Sequence, residues 1–279
     1  MVAALALFSK VRLAIWPGRA SLKGMLGWSI NLFRIRGIMI SLHFSFLLLL
    51  AYVCDEGWKE AGVPGLWWSA AIFLSIFTCV VLHELGHSFM ARRFGVHVRR
   101  ILLMPVGGMA EFDAIPRKPV QELLIAVAGP AVNFAIASVL WCVTSFPEGW
   151  NDISLPSSLG DLGRLLFVAN VFMIIFNLIP AFPMDGGRIL RALLAMRLPY
   201  VRATYWAVTL AKVVTVVGFV LTIYTGRYLT AAICVFIFLF GEAEYRVVKR
   251  RETDEAHMKE ALDRLYGKPA TEEPPVLNG

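Results

Sequence analysis

The stretch Leu66–Leu82, LWWSAAIFLSIFTCVVL, carries no charged residue and runs directly into His83-Glu84-Leu85-Gly86-His87. A helix needs about 20 mostly apolar residues to cross a bilayer, and this run with its continuation reaches that length. On a helix, residues four apart differ by about 400° of rotation, so His83 and His87 share a face and can grip one metal ion. Glu84 between them suits a general base that takes a proton from water beside a metal. Ionisable groups at membrane depth are costly and mark function. The stretch therefore predicts both a helical membrane fold and a hydrolytic metal site inside it.

Working outward, the remaining sequence carries the same signal. The 279-residue chain is 58% hydrophobic with a mean hydropathy of +0.66, where soluble domains are about 45–50% apolar. Candidate spans fall near 38–54, 67–91, 121–146, 164–186, 204–224 and 228–240. The first and last are short for a bilayer, and only Gly226-Arg227 separates the last two. The expected fold class is an all-α polytopic membrane protein with about six transmembrane helices. A short β-like loop follows the second span, where Val96–Met104 is β-prone and Gly107-Gly108 supplies a turn.

Charge sets the orientation. Residues 1–36 hold Lys10, Arg12, Arg19, Lys23, Arg34 and Arg36 and no acid. The 92–120 loop, the segment after span four and the tail from Arg246 are basic as well. The 55–66 and 147–163 loops are acidic. This alternation predicts an even span count with both termini cytoplasmic in a cell inner membrane. The net charge of +7 thus belongs to topology, with no nucleic acid implied. The chain divides into a basic interfacial segment (1–36), a membrane domain (37–240) and a cytoplasmic amphipathic helix with a disordered tail (241–279). Met1–Phe8 is too short for a signal-peptide core. Residues 1–24 suit the anionic inner leaflet, with a disordered extension or transit peptide as the competing reading. Cys54, Cys79, Cys142 and Cys234 form no C-x-x-C pair and read as small buried hydrophobes.

A catalytic metal site needs a third protein ligand. Position 93, where one soluble protease pattern has a histidine, is Arg93. Glu111 lies at a suitable sequence distance but in a loop, and His97 lies beyond the helix end among arginines. Asp185 is the better candidate. It sits in Asn177-Leu-Ile-Pro180-Ala-Phe-Pro183-Met-Asp185-Gly186-Gly187, at the inner end of a span that runs in the same direction as the histidine span. The two prolines and two glycines predict broken backbone there, tolerated at membrane depth where it lines a watery cavity. The plainer reading makes Asp185 a surface carboxylate at a helix end.

H-E-L-G-H in one span and N-x-x-P-x-x-P-x-D-G-G in a later one resemble the site-2 protease family of intramembrane zinc metalloproteases. Gly129-Pro130-Ala-Val-Asn133 is similar to that family's G-P-x-x-N element, and Arg34–Phe46 to its strand-like approach to the first span. The resemblance covers about residues 25–240. It implies one Zn2+ per chain held by His83, His87 and Asp185, with Glu84 as general base and acid. It also implies that Asn133 holds substrate backbone or a developing oxyanion; a hydrogen bond between helices is the alternative. The substrate implied is a transmembrane segment of another protein, cut within the lipid bilayer in regulated intramembrane proteolysis.

The chain departs from common family members in showing neither a PDZ-like insertion nor a C-terminal CBS pair, so the regulatory inputs of such modules are in question. His43 reads as a polar group at the membrane interface. Lys212, inside span five, either snorkels to the inner face or marks a later start of that span. The 96–112 segment reads equally as a strand edge for an extended substrate or as a loop hugging the membrane. The competing functional class is a non-proteolytic membrane zinc protein, either a transporter or a substrate-binding scaffold. Glu84 in the base position argues against it.

Overall fold

The Leu66–His87 stretch is helical in the computed structural model, which describes residues 28–105, 107–113, 117–144 and 158–266. The interfacial reading of 1–24, most of the acidic 147–163 loop and the disordered tail from 267 lie outside the described residues. The stretch belongs to α1 (Phe44–Arg93), whose backbone leaves helical geometry at Ala61 and Gly62. Gly62 has φ 62°, a conformation glycine adopts without a Cβ penalty. The chain reverses there, and the Phe46 ring lies 5.0 Å from Phe73 and 4.6 Å from Phe77. The first two expected spans are therefore the antiparallel arms of one element, 44–60 and 63–93.

Four helices among the described residues are long and apolar enough to cross a membrane: α1, α2 (Pro119–Val143), α3 (Leu159–Leu178) and α5 (Tyr200–Tyr224). Six spans were expected. Two of those are the arms of α1, and the 228–240 segment runs unbroken into the charged residues of α6 (Tyr228–Tyr266). Its apolar part is only about 20 Å long, short of a hydrocarbon core of about 30 Å. Span four also ends early. α3 stops at Leu178, the Pro180–Pro183 segment is non-helical, and α4 (Asp185–Ala195) starts afresh. α3 carries its apolar residues outward, with Val168, Phe172 and Ile175 exposed, as lipid contact requires.

The fold is not all-α. Four strands, β1 (Ser29–Ile35), β2 (Ile38–His43), β3 (Val98–Met104) and β4 (Gly107–Phe112), form one sheet in sequential order. β1–β2 and β3–β4 are antiparallel, and β2–β3 is parallel. A parallel pair needs a long crossover, which here is the whole of α1. The strand-like lead-in and the β-like loop are thus one structure, closed only when the α1 hairpin brings its ends together. Ile38, Ile40, Ile101 and Leu103 pack with Leu85 and Ala91 of α1 and Ile125 of α2. The sheet therefore sits beside the C-terminal end of the histidine-bearing arm. His43 caps α1, its Nδ1 accepting from the Ser45 amide at 3.2 Å.

Polar contacts lock the short helix α4 in place. Arg191 donates from Nε (2.9 Å) and Nη2 (2.5 Å) to Glu122 in the first turn of α2, and from Nη1 (2.5 Å) to Glu244 of α6. Arg191 and Glu122 are fully buried, and the guanidinium lies over the rings of Phe182 and Tyr200. Lys212 pairs with Glu242 of α6 and faces the Phe238 ring. It ties α5 to α6 and has a partner within the protein. Removing one member of a buried pair strands the other charge, at a cost of about 3–5 kcal/mol. Arg191→Met should therefore lower stability by about that much in mixed-micelle unfolding. Arg191→Met with Glu122→Leu should recover most of the loss; a double variant as unstable as the single would show that the pair itself is required.

Candidate metal centre

His83 and His87 lie one turn apart on the 63–93 arm of α1, both buried. Asp185 is the first residue of α4, also buried. Three atoms converge: His83 Nε2 to His87 Nε2 is 3.0 Å, His83 Nε2 to Asp185 Oδ2 is 3.2 Å, and His87 Nε2 to Asp185 Oδ2 is 3.1 Å. They form a nearly equilateral triangle. Ligands about 2.0–2.1 Å from a tetrahedral zinc lie roughly 3.3 Å apart, so the triangle is close to one face of such a polyhedron. These three are the metal-capable group among the described residues.

The surroundings suit an ion rather than a plain ion pair. The Nδ1–H of His87 donates to the Ile125 carbonyl at 2.7 Å, which fixes the tautomer and leaves the Nε2 lone pair for a metal. Gly129 of α2 lies against both rings. A Cβ there would come within 2.2 Å of His87 Nε2 and 2.7 Å of His83 Nε2. The wall facing the triangle is thus bare backbone. α4 can begin where it does because Gly186 lets its first turn fold onto the end of α3: a Cβ at that position would meet the Ile179 oxygen at 2.2 Å.

The other sequence candidates for the third ligand are elsewhere. Glu111 on β4 pairs with Arg100 of β3 at 2.9 Å. His97 is exposed and faces Asp113 at 3.3 Å. Glu84 follows His83 and points toward β4, since a Cβ on Gly108 would meet its Cγ at 2.6 Å. β4 is an edge strand, paired on one side by β3. Asn133, one turn after Gly129, is fully buried, and neither amide atom has a partner among the described residues. The expected alternative, a hydrogen bond between helices, is not made there. Sequence reasoning passed over the Arg191–Glu122 pair and gave Gly129 no physical role. An acid and a base about 70 positions apart carry no periodic signal, and a glycine in an apolar helix reads as a small residue until its neighbour is known.

The model of Peptidase family M50 matches residues 71–151 and 154–224. A zinc metalloprotease of Methanocaldococcus jannaschii is 38% identical over 224 residues, covering 80% of this chain and 62% of that protein. Stage IV sporulation protein FB of Bacillus subtilis is 27% identical over 158 residues, 56% of this chain and 52% of its own length. The chain thus spans less than two thirds of the length of these curated relatives. The solved site-2 protease from Methanocaldococcus jannaschii superposes with a TM-score of 0.54 at 37% identity, covering 78% of this chain and 95% of that one.

Gly129→Val should leave a folded protein that no longer holds a metal ion, as read by metal content beside circular dichroism after detergent purification. Wild-type metal content in a folded Gly129→Val protein would mean that the triangle does not need this close approach.

Proposed function

The chain belongs to peptidase family M50, and on that footing we propose that it is a zinc-dependent intramembrane endopeptidase that cleaves transmembrane segments of other proteins. The observation that carries this reading is the buried triangle of His83, His87 and Asp185, with Glu84 beside it against a strand edge that is unpaired among the described residues. In this reading the three are the zinc ligands, one ion per chain. A zinc ion held there supplies Lewis acidity, polarising a carbonyl and acidifying water.

The protein's own residues do the rest. Glu84 takes a proton from the attacking water and later hands it to the leaving nitrogen. Asp185, carried on a helix separate from the histidines, closes one side of the ligand set and leaves the opposite side for substrate. Asn133 offers a buried amide to substrate backbone, and its lack of a partner among the described residues supports that role. A transmembrane helix hides its peptide groups in its own hydrogen bonds, so the substrate must unwind before it is cut. The free edge of β4 beside Glu84 suits an extended segment, whose exposed amides and carbonyls pair with the strand.

The basic loops support a cell inner-membrane location with both termini cytoplasmic. They also support the division into a 1–36 interfacial segment, a 37–240 protease domain and a 241–279 cytoplasmic extension, with α6 running through the last boundary. A role in regulated intramembrane proteolysis fits the same reading. The rival class, a membrane zinc protein without proteolysis, leaves Glu84 without a task.

Glu84→Gln keeps the shape and removes the base. Cleavage should fall by about 10²–10⁴-fold while zinc content stays at the wild-type level, measured on proteoliposomes carrying a single-span reporter. Undiminished cleavage by this variant would remove Glu84 from the mechanism.

A further inference from the structure

Arg188 has no part in the reading above, yet its placement is specific. It lies three residues after Asp185 in the first turn of α4, so the two side chains leave the helix on one face. Its Nε and Nη2 are shut off from solvent and meet no acceptor among the described residues. Those two nitrogens form one edge of the guanidinium, the fork that grips oxygen in bidentate fashion. Arg191, one turn further on, is saturated by Glu122 and Glu244, whereas Arg188 pairs with no acid among the described residues. Sharing a face with Asp185 puts the Arg188 side chain on the side of α4 that carries the metal-capable carboxylate. Buried charged donors without partners are rare and costly, and a catalytic role, in which substrate supplies the acceptor, is one reason a protein keeps one.

We propose that Arg188 is a catalytic residue whose Nε–Nη2 edge receives the carbonyl oxygen of the scissile peptide and stabilises the negative charge that develops on it. The assignment depends on the protease reading. As the water oxygen bonds to the carbonyl carbon, one water proton passes to Glu84 and the carbonyl π pair moves onto the oxygen. The guanidinium meets that charge there. Re-forming the carbonyl breaks the carbon–nitrogen bond, and the Glu84 proton goes to the leaving nitrogen, giving an amine and a carboxylic acid that ionises. Because the charge appears only in the transition state, the contribution falls on kcat rather than on KM. A planar fork also explains arginine here, since a lysine ammonium cannot span the same oxygen in two directions.

The test uses the full-length, zinc-loaded protein in detergent micelles with reduced, carboxymethylated α-lactalbumin, an unfolded chain that needs no unwinding. Wild type, Glu84→Gln, Arg188→Ala and Arg188→Lys are compared for kcat, KM and zinc content. Arg188→Ala should lose about 10²–10³-fold in kcat with KM and zinc near wild type, and added methylguanidinium should restore part of the rate. Arg188→Lys should fall between the two. A wild-type kcat in Arg188→Ala, where Glu84→Gln is inactive, overturns the assignment alone. Zinc lost in parallel with activity in Arg188→Ala also overturns it, since the residue would then support the ligand set. A zinc-loaded wild type that does not cleave, or a Glu84→Gln variant that cleaves as well as wild type, overturns the protease reading and the assignment together.

Discussion

Two imidazoles and a carboxylate held about 3 Å apart inside an apolar helical protein are the constraint to which the other features answer. Groups of this kind are expensive to bury unless each has a partner. One helix supplies two of them cheaply, because four residues bring a helix back to the same face. The third must arrive from elsewhere at the same depth, and much of the fold serves that delivery. α3 ends early, a proline-rich segment turns the chain, and α4 begins with the carboxylate itself. α2 closes the remaining side with backbone at Gly129, because no side chain fits against the two rings.

The position of α4 is secured away from the triangle. Arg191 binds Glu122 of α2 and Glu244 of α6 from the helix that starts with Asp185. The carboxylate is therefore held to the helix that carries Gly129 and Asn133, and also to the long C-terminal helix α6. The sheet plays the matching part on the other side. β2 and β3 meet only because the α1 hairpin returns, and β4 then lies along Glu84 with its outer edge unpaired among the described residues. An extended strand edge thus lies beside a metal-capable site within a mostly helical protein.

Much of this was legible in the sequence. His83, Glu84 and His87 declared themselves by spacing inside an uncharged run. Asp185 followed from the direction of its span and the prolines before it, and the structure brings it within reach of both histidines. What was not legible depends on contacts between distant segments. The four-stranded sheet joins strands separated by the whole of α1, so local pattern gave two fragments and an all-α expectation. Residues 44–93 hold the two helical arms that their apolar runs call for, turned at Ala61-Gly62. The 228–240 segment is what leaves the count of six unsupported, since it is apolar yet short and continues without a break into charge. Glu122 carried no signal of its own, and Arg188 and Arg191 counted only among the positive charges of the segment after span four.

The central claim is that residues from two helices converge to hold one zinc ion. It is tested most directly by metal content, measured by mass spectrometry on detergent-purified wild type and Asp185→Ala. About one zinc per chain in wild type, lost or sharply weakened in the variant, is the expected result. Full zinc in Asp185→Ala, or no zinc in well-folded wild type, would contradict the convergence of α1 and α4 on a single ion.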